Sequence, residues 1–118
     1  MNSFETFVTS YRENLFEAVR SIPEDKIQTL ALTIARARDR GKQLFIFGNG
    51  GSAGNAIHLA NDFLYGAANK NGQKVRVHAL PANSSIITCL ANDEGYASIF
   101  KEQLAVLANE GDVALAFS

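Results

Sequence analysis

Residues 44–62 read Leu-Phe-Ile-Phe-Gly-Asn-Gly-Gly-Ser-Ala-Gly-Asn-Ala-Ile-His-Leu-Ala-Asn-Asp, placing His58 and Asp62 four residues apart behind a glycine-rich turn. On a helix that spacing makes the two side chains neighbours. An imidazole and a carboxylate so placed can share a divalent metal such as zinc, act as a hydrogen-bonded acid/base pair, or form an incidental ion pair on a solvated surface. The turn itself, Gly48-Asn49-Gly50-Gly51-Ser52, suits an anion. Glycines let the backbone approach closely, and the first helical turn offers unpaired N–H groups and the positive end of the helix dipole. Asn49 and Ser52 add side-chain donors, fitting one phosphate or the hydroxyls of a sugar. A tight strand-to-helix turn whose glycines serve packing is the plainer reading.

Gly48 to Ala53 also matches the relaxed dinucleotide fingerprint, but the strand that should end in a ribose-binding acid ends His78-Ala79-Leu80-Pro81. No Gly-Lys-Ser/Thr marks a nucleotide P-loop. His78, between Val77 and Ala79, reads as a packed or partly exposed strand residue. Asn83-Ser84-Ser85 and Asn92-Asp93 read as polar loops able to surround the glycine turn, with turn and cap formation as their ordinary role.

The elements that must position these groups follow from periodicity. Phe4, Phe7, Val8, Tyr11, Leu15, Phe16, Val19 and Ile22 recur at helical steps, and a second stripe runs from Ile27 to Ala35 and closes at Gly41. This predicts an amino-terminal helical hairpin over 1–41, either packed on its own sheet or serving oligomerisation. From Lys42 onward strands and helices alternate. A wholly apolar strand spans Leu44–Phe47, and a helix spans Ala53–Tyr65 with Ala56, Leu59, Ala60 and Phe63 inward and Asn55, His58 and Asp62 on a separate side. A turn cluster follows at 69–72, then a strand over Lys74–Leu80 and a short helical or irregular stretch to Leu90. A helix over Tyr96–Ala108 and a third buried strand, Val113–Phe117, complete the pattern. The order βαβαβ predicts an α/β fold with a doubly wound parallel sheet. The sequence stops at Ser118, just after a core strand, and so reads as a domain truncated after its third strand.

Composition narrows the function classes. The chain has 118 residues, 11 basic and 12 acidic, interspersed and without a basic patch, so neither nucleic acid nor an anionic membrane has an electrostatic footprint. The single cysteine, Cys89, lies in the run Ile86-Ile87-Thr88-Cys89-Leu90 and reads as a buried core thiol. Without signal-peptide features or a membrane-length apolar stretch, a soluble cytoplasmic protein is expected.

Three landmarks together resemble the sugar isomerase (SIS) domains, and within them the phosphoheptose isomerases. They are Gly48-Asn49-Gly50-Gly51-Ser52 followed by His58, Asn92-Asp93-x-Gly95-Tyr96 with Ile99-Phe100, and Glu110-Gly111-Asp112-Val113 leading to Ser118. The similarity covers about 43–118, and the helical amino-terminal segment also fits. It implies an SIS-type, flavodoxin-like sheet and an aldose–ketose isomerase that converts sedoheptulose 7-phosphate to D-glycero-D-manno-heptose 7-phosphate, towards bacterial surface polysaccharide. The resemblance places Asn49, Gly50, Gly51, Ser52, Asn92, Asp93 and Ser118 against the sugar phosphate, and His58 and Asp62 as zinc ligands and catalytic groups. A homotetramer is implied as well.

Asp62 stands where that family normally has glutamate, a side chain about 1.5 Å longer. The family's other metal ligands and second catalytic histidine come from a later helix, so the 118-residue chain alone is expected to be inactive. The rival expectation is a non-catalytic SIS protein that binds a sugar phosphate or a replication-initiator protein.

Overall fold

The computed structural model describes residues 2–66, 72 and 74–118, in two compact units, 1–32 and 33–118. In the first unit, α1 spans Ser3–Arg20 and opens with a reciprocal cap: Asn2 Oδ1 accepts from the Glu5 N–H at 2.9 Å, and Glu5 Oε2 accepts from the Asn2 N–H at 3.0 Å. No residue of α1 is buried, and Phe4, Phe7, Tyr11, Leu15, Phe16 and Val19 all lie exposed along it.

Helix α2 spans Glu24–Asp39, with acids in its first turn and Arg36 and Arg38 in its last, as the helix dipole favours. Its carboxyl-terminal part contributes Ile34 and Ala37 to the core of the second unit. Paired closing bonds, Gly41 N–H to Arg38 O and Lys42 N–H to Ala37 O, end the helix and release the chain into the sheet.

That sheet has three parallel strands in the order β2-β1-β3: β1 Gln43–Phe47, β2 Arg76–Ala79 and β3 Val113–Ala116. Leu44, Phe45 and Ile46 are 0–1% exposed, as a strand paired on both edges and covered on both faces requires. Leu44 and Ile46 join Ile34, Val75, Val77 and the small residues Ala56 and Ala60 of α3, which spans Gly51–Leu64. On the opposite face Phe45 stacks on His78, with centroids 5.0 Å apart, and Phe47 packs on Phe100 at 5.1 Å. The α/β doubly wound reading therefore holds.

Four details differ from the sequence reading. β3 is half exposed rather than buried, because it pairs with β1 on one side only among the described strands. The stretch after Pro81 is a full helix, α4, over Ser84–Asp93, capped by Asn83 Oδ1, which accepts from the Ser85 and Ile86 N–H groups. Ser84, Ser85, Asn92 and Asp93 are thus helical, and Cys89 is exposed, since successive positions on a helix turn by about 100° and Ile86, Ile87, Leu90 and Ala91 are the ones drawn partly inward. The Tyr96–Ala108 segment divides into a 3₁₀ turn, Tyr96–Ser98, and α5, Lys101–Leu107, because Ile99 is pulled into the core between them. Of the turn cluster at 69–72, only Gly72 lies within the described residues. No helix among the described residues is long and apolar enough to cross a membrane.

A polar network ties the amino-terminal edge of the sheet. Asp112, just ahead of β3, accepts from the Gln43 backbone N–H at 2.8 Å, from Gln43 Nε2 at 3.1 Å and from the Asn109 N–H at 2.8 Å. Gln43 Oε1 in turn lies 2.8 Å from His78 Nε2. With Gln43 Nε2 committed to a carboxylate, Oε1 can only accept, so His78 carries its proton on Nε2. The Gln43 backbone bond, foremost, holds the Asp112 carboxyl below the usual carboxylate range. A carboxyl held low in the folded state contributes stability that is complete above the ordinary carboxylate range and is lost as pH falls through the lowered value. Asp112→Ala should therefore lower the urea midpoint at pH 7 and flatten its acid-side decline, read by unfolding series from pH 7 to pH 3.

Candidate functional site

The turn 48–50 leaves the carboxyl end of β1 beside β3, where the strand order reverses and open α/β sheets place ligands. Its shape is set by two glycines for different reasons. A Cβ on Gly48 would stand 2.8 Å from the Phe117 carbonyl oxygen and 2.8 Å from Ser52 Cβ, so only glycine allows β3 and α3 to meet there. Gly50 has φ +56° and ψ −123°, a conformation that side chains resist. At Gly50 and Gly51 an added Cβ would meet nothing within 4 Å, so the mouth of the turn is open.

Gly50 is the N-cap of α3 and has no side chain to satisfy the helix end. The Ser52 and Ala53 N–H groups bond back to Asn49 and Gly50 at 3.0 and 3.1 Å, which tightens the first turn. Ser118 follows Phe117, whose N–H extends the ladder to the Phe47 carbonyl at 2.8 Å and whose own carbonyl abuts Gly48. The structure thus brings Asn49, Gly50, Gly51, Ser52 and Ser118 to one end of the sheet.

Down the same helix, His58 Nε2 lies 3.6 Å from Asp62 Oδ2, with the side chains 82% and 48% exposed. Ala56 and Ala60 face the core while this pair faces outward, as the alternating pattern predicts. A tetrahedral site with bonds of about 2.0–2.1 Å has edges of about 3.4 Å, so this separation fits two zinc ligands. No cluster of three or more such donors exists among the described residues, so the pair fits only part of a complete set. Gly66 leaves room for the carboxylate, since a Cβ there would lie 2.9 Å from Asp62 Oδ1. By helical rise His58 is about 10 Å from Gly51, the length scale of an extended sugar phosphate.

Asn92 and Asp93 sit at the end of α4, where Asn92 Nδ2 donates to Asp93 Oδ1 at 2.8 Å. Cys89 Sγ lies 3.5 Å from Asp93 Oδ2, and this bond and the carboxylate's charge push the thiol above its usual range. Neither Asn92 nor Asp93 bonds the glycine turn directly; the residue that does is Tyr96, whose hydroxyl donates to Asn49 Oδ1 at 2.7 Å. The sequence marks Tyr96 as a family landmark and as the start of a helix, and not as a site residue. A contact across 47 residues leaves no local spacing to find it by. His78, stacked on Phe45 and bonded to Gln43, is the packed strand residue expected of it.

Comparison with known proteins places these features in a wider set. The family model of the SIS domain matches residues 7–118. A phosphoheptose isomerase of Geobacter metallireducens is 35% identical over 113 residues, covering 96% of this chain and 59% of that one. The Aquifex aeolicus phosphoheptose isomerase is 40% identical over 90 residues, covering 76% and 47%. Among solved structures, a phosphoheptose isomerase from Francisella tularensis shares the fold with a TM-score of 0.85 at 24% identity, over 100% of this chain and 62% of that one. The chain thus spans about half to three-fifths of the length of these relatives.

The close approach at Gly48 gives a direct check. Gly48→Ala should cost about 1–3 kcal/mol through overpacking, read as a lowered urea midpoint with loss of amide protection at Phe117.

Proposed function

This chain belongs to the SIS domain family, and from that premise we propose that it supplies part of the active site of an aldose–ketose isomerase. The substrate in this reading is sedoheptulose 7-phosphate and the product D-glycero-D-manno-heptose 7-phosphate. The observation that carries the proposal is the outward-facing His58–Asp62 pair, 3.6 Å apart, on the helix that the glycine turn opens. The names of relatives 35–40% identical support a sugar isomerase.

In this reading Asn49, Gly50, Gly51 and Ser52 bind the sugar phosphate together with Asn92, Asp93 and Ser118. Backbone N–H groups at the head of α3 meet negative charge, and the side chains meet hydroxyls. Asp62 takes a proton from carbon 1 of the ketose and returns it to carbon 2. The hydroxyl proton on carbon 1 passes to the oxygen on carbon 2, so the carbonyl moves one carbon with atoms and charge conserved. His58 orients the carboxylate for both transfers. Held by His58, Asp62 and ligands from outside these residues, zinc would supply a Lewis acid for the carbonyl oxygen.

A second reading is a sugar-phosphate-binding SIS protein without catalysis, in which the glycine turn binds and His58 and Asp62 are an exposed surface pair. His58→Ala separates the two in the full-length protein. The His58 side chain is 82% exposed, so its loss should leave the melting temperature of the metal-free protein unchanged. Isomerase activity should fall by about 10²–10⁴-fold, and bound zinc should fall to background in elemental analysis. Unaltered turnover of sedoheptulose 7-phosphate refutes the catalytic assignment, and unaltered sugar-phosphate binding without turnover in the parent favours the binder.

We also propose that the segment 3–40 joins copies of the chain into a tetramer. The exposed stripe of Phe4, Phe7, Tyr11, Leu15, Phe16 and Val19 supports it, because an apolar face of this extent marks a binding surface. Light scattering should give four times the chain mass, reduced by Phe7→Glu with Phe16→Glu; a monomeric parent protein refutes the role.

A further inference from the structure

We infer that Tyr96 is a positioning residue for the glycine turn: its hydroxyl holds the Asn49 amide in one orientation, so that Asn49 offers its Nδ2 N–H groups to a ligand. The inference rests on the turn being the sugar-phosphate site proposed above, and it adds a residue that the site reading did not contain.

Tyr96 is 62% exposed, so burial does not account for where its ring lies. Its hydroxyl is 2.7 Å from Asn49 Oδ1. The phenol is the donor and the amide oxygen the acceptor, at a separation typical of O–H···O. It is the one side-chain bond of Asn49 among the described residues. With Oδ1 held by the phenol, the amide cannot flip, and both N–H bonds of Nδ2 stay available to a ligand. An unrestrained asparagine in an exposed turn would populate both amide orientations before an anion arrives and would have to be ordered on binding.

The clamp is itself anchored. Ile99 is buried at 3% exposure, and Phe100 packs on Phe47 with centroids 5.1 Å apart. Phe47 lies two residues before Asn49, so the segment carrying Tyr96 is fixed to the very strand that delivers the turn. The ordering of Asn49 is therefore complete before a ligand arrives, which is preorganisation in its ordinary sense.

The test is a double-mutant cycle on ¹⁵N-labelled protein titrated with inorganic phosphate, followed at the Gly50 and Gly51 amides and at Asn49 Nδ2. Tyr96→Phe should weaken phosphate binding by about 3–10-fold and leave the amide shifts of Leu44–Phe47 unchanged. In an Asn49→Ala background the same substitution should have no effect. Asn49→Asp, which keeps the acceptor, removes the donors and adds a negative charge, should abolish binding. Equal weakening by Tyr96→Phe in both backgrounds, no weakening in either, or retained binding by Asn49→Asp overturns the inference while leaving the phosphate site standing. Failure of the parent protein to bind phosphate removes the site reading itself, and the inference with it.

Discussion

The burial of β1 governs this structure. Leu44, Phe45 and Ile46 are excluded from water on both faces and paired along both edges, so every other element of the second unit is placed relative to these residues. Small residues at Ala56 and Ala60 let α3 lie close on one face, and Ile99 and Phe100 close over the other. The chain must then leave β1 between α3 and β3, where a side chain on Gly48 would collide with the Phe117 carbonyl. The geometry of the candidate site is a by-product of packing this strand tightly.

The site has two parts with different physical origins. At the turn the donors are backbone groups and short side chains, oriented by strand and helix ends. About two helical turns along α3 stand His58 and Asp62, whose side chains reach into solvent and owe their proximity to helical spacing alone. The first part depends on tertiary packing, whereas the second depends only on α3 being a helix.

Much of this was legible in the residues. The apolar run at 44–47, the alternating faces of α3 and the stop at Gly41 each carry a local signal, and each element formed where its periodicity placed it. What escaped depended on partners distant in the chain. The exposure of Cys89 follows from Ile86–Leu90 being helical, a choice that a short apolar run cannot announce. The break between Tyr96–Ser98 and α5 follows from the burial of Ile99, and the partner of Asn49 lies 47 residues away. Half-exposure of β3 could not be read from Val113–Phe117, because apolar strands at an edge and at a centre look alike in sequence.

The chain of donors running from His78 through Gln43 to Asp112 has a consequence for assembly of the sheet. Parallel strands offer evenly spaced backbone bonds that several registers can satisfy. A slip of one residue would turn Gln43 towards the apolar helix α3, and a slip of two would carry it about 7 Å from both partners. Either error removes the Gln43 bonds of the Asp112 carboxylate, leaving it the Asn109 N–H, and the side-chain partner of the His78 imidazole. The amide of Gln43 thus works as a vernier for the fold, rejecting alignments that hydrophobic burial alone would tolerate.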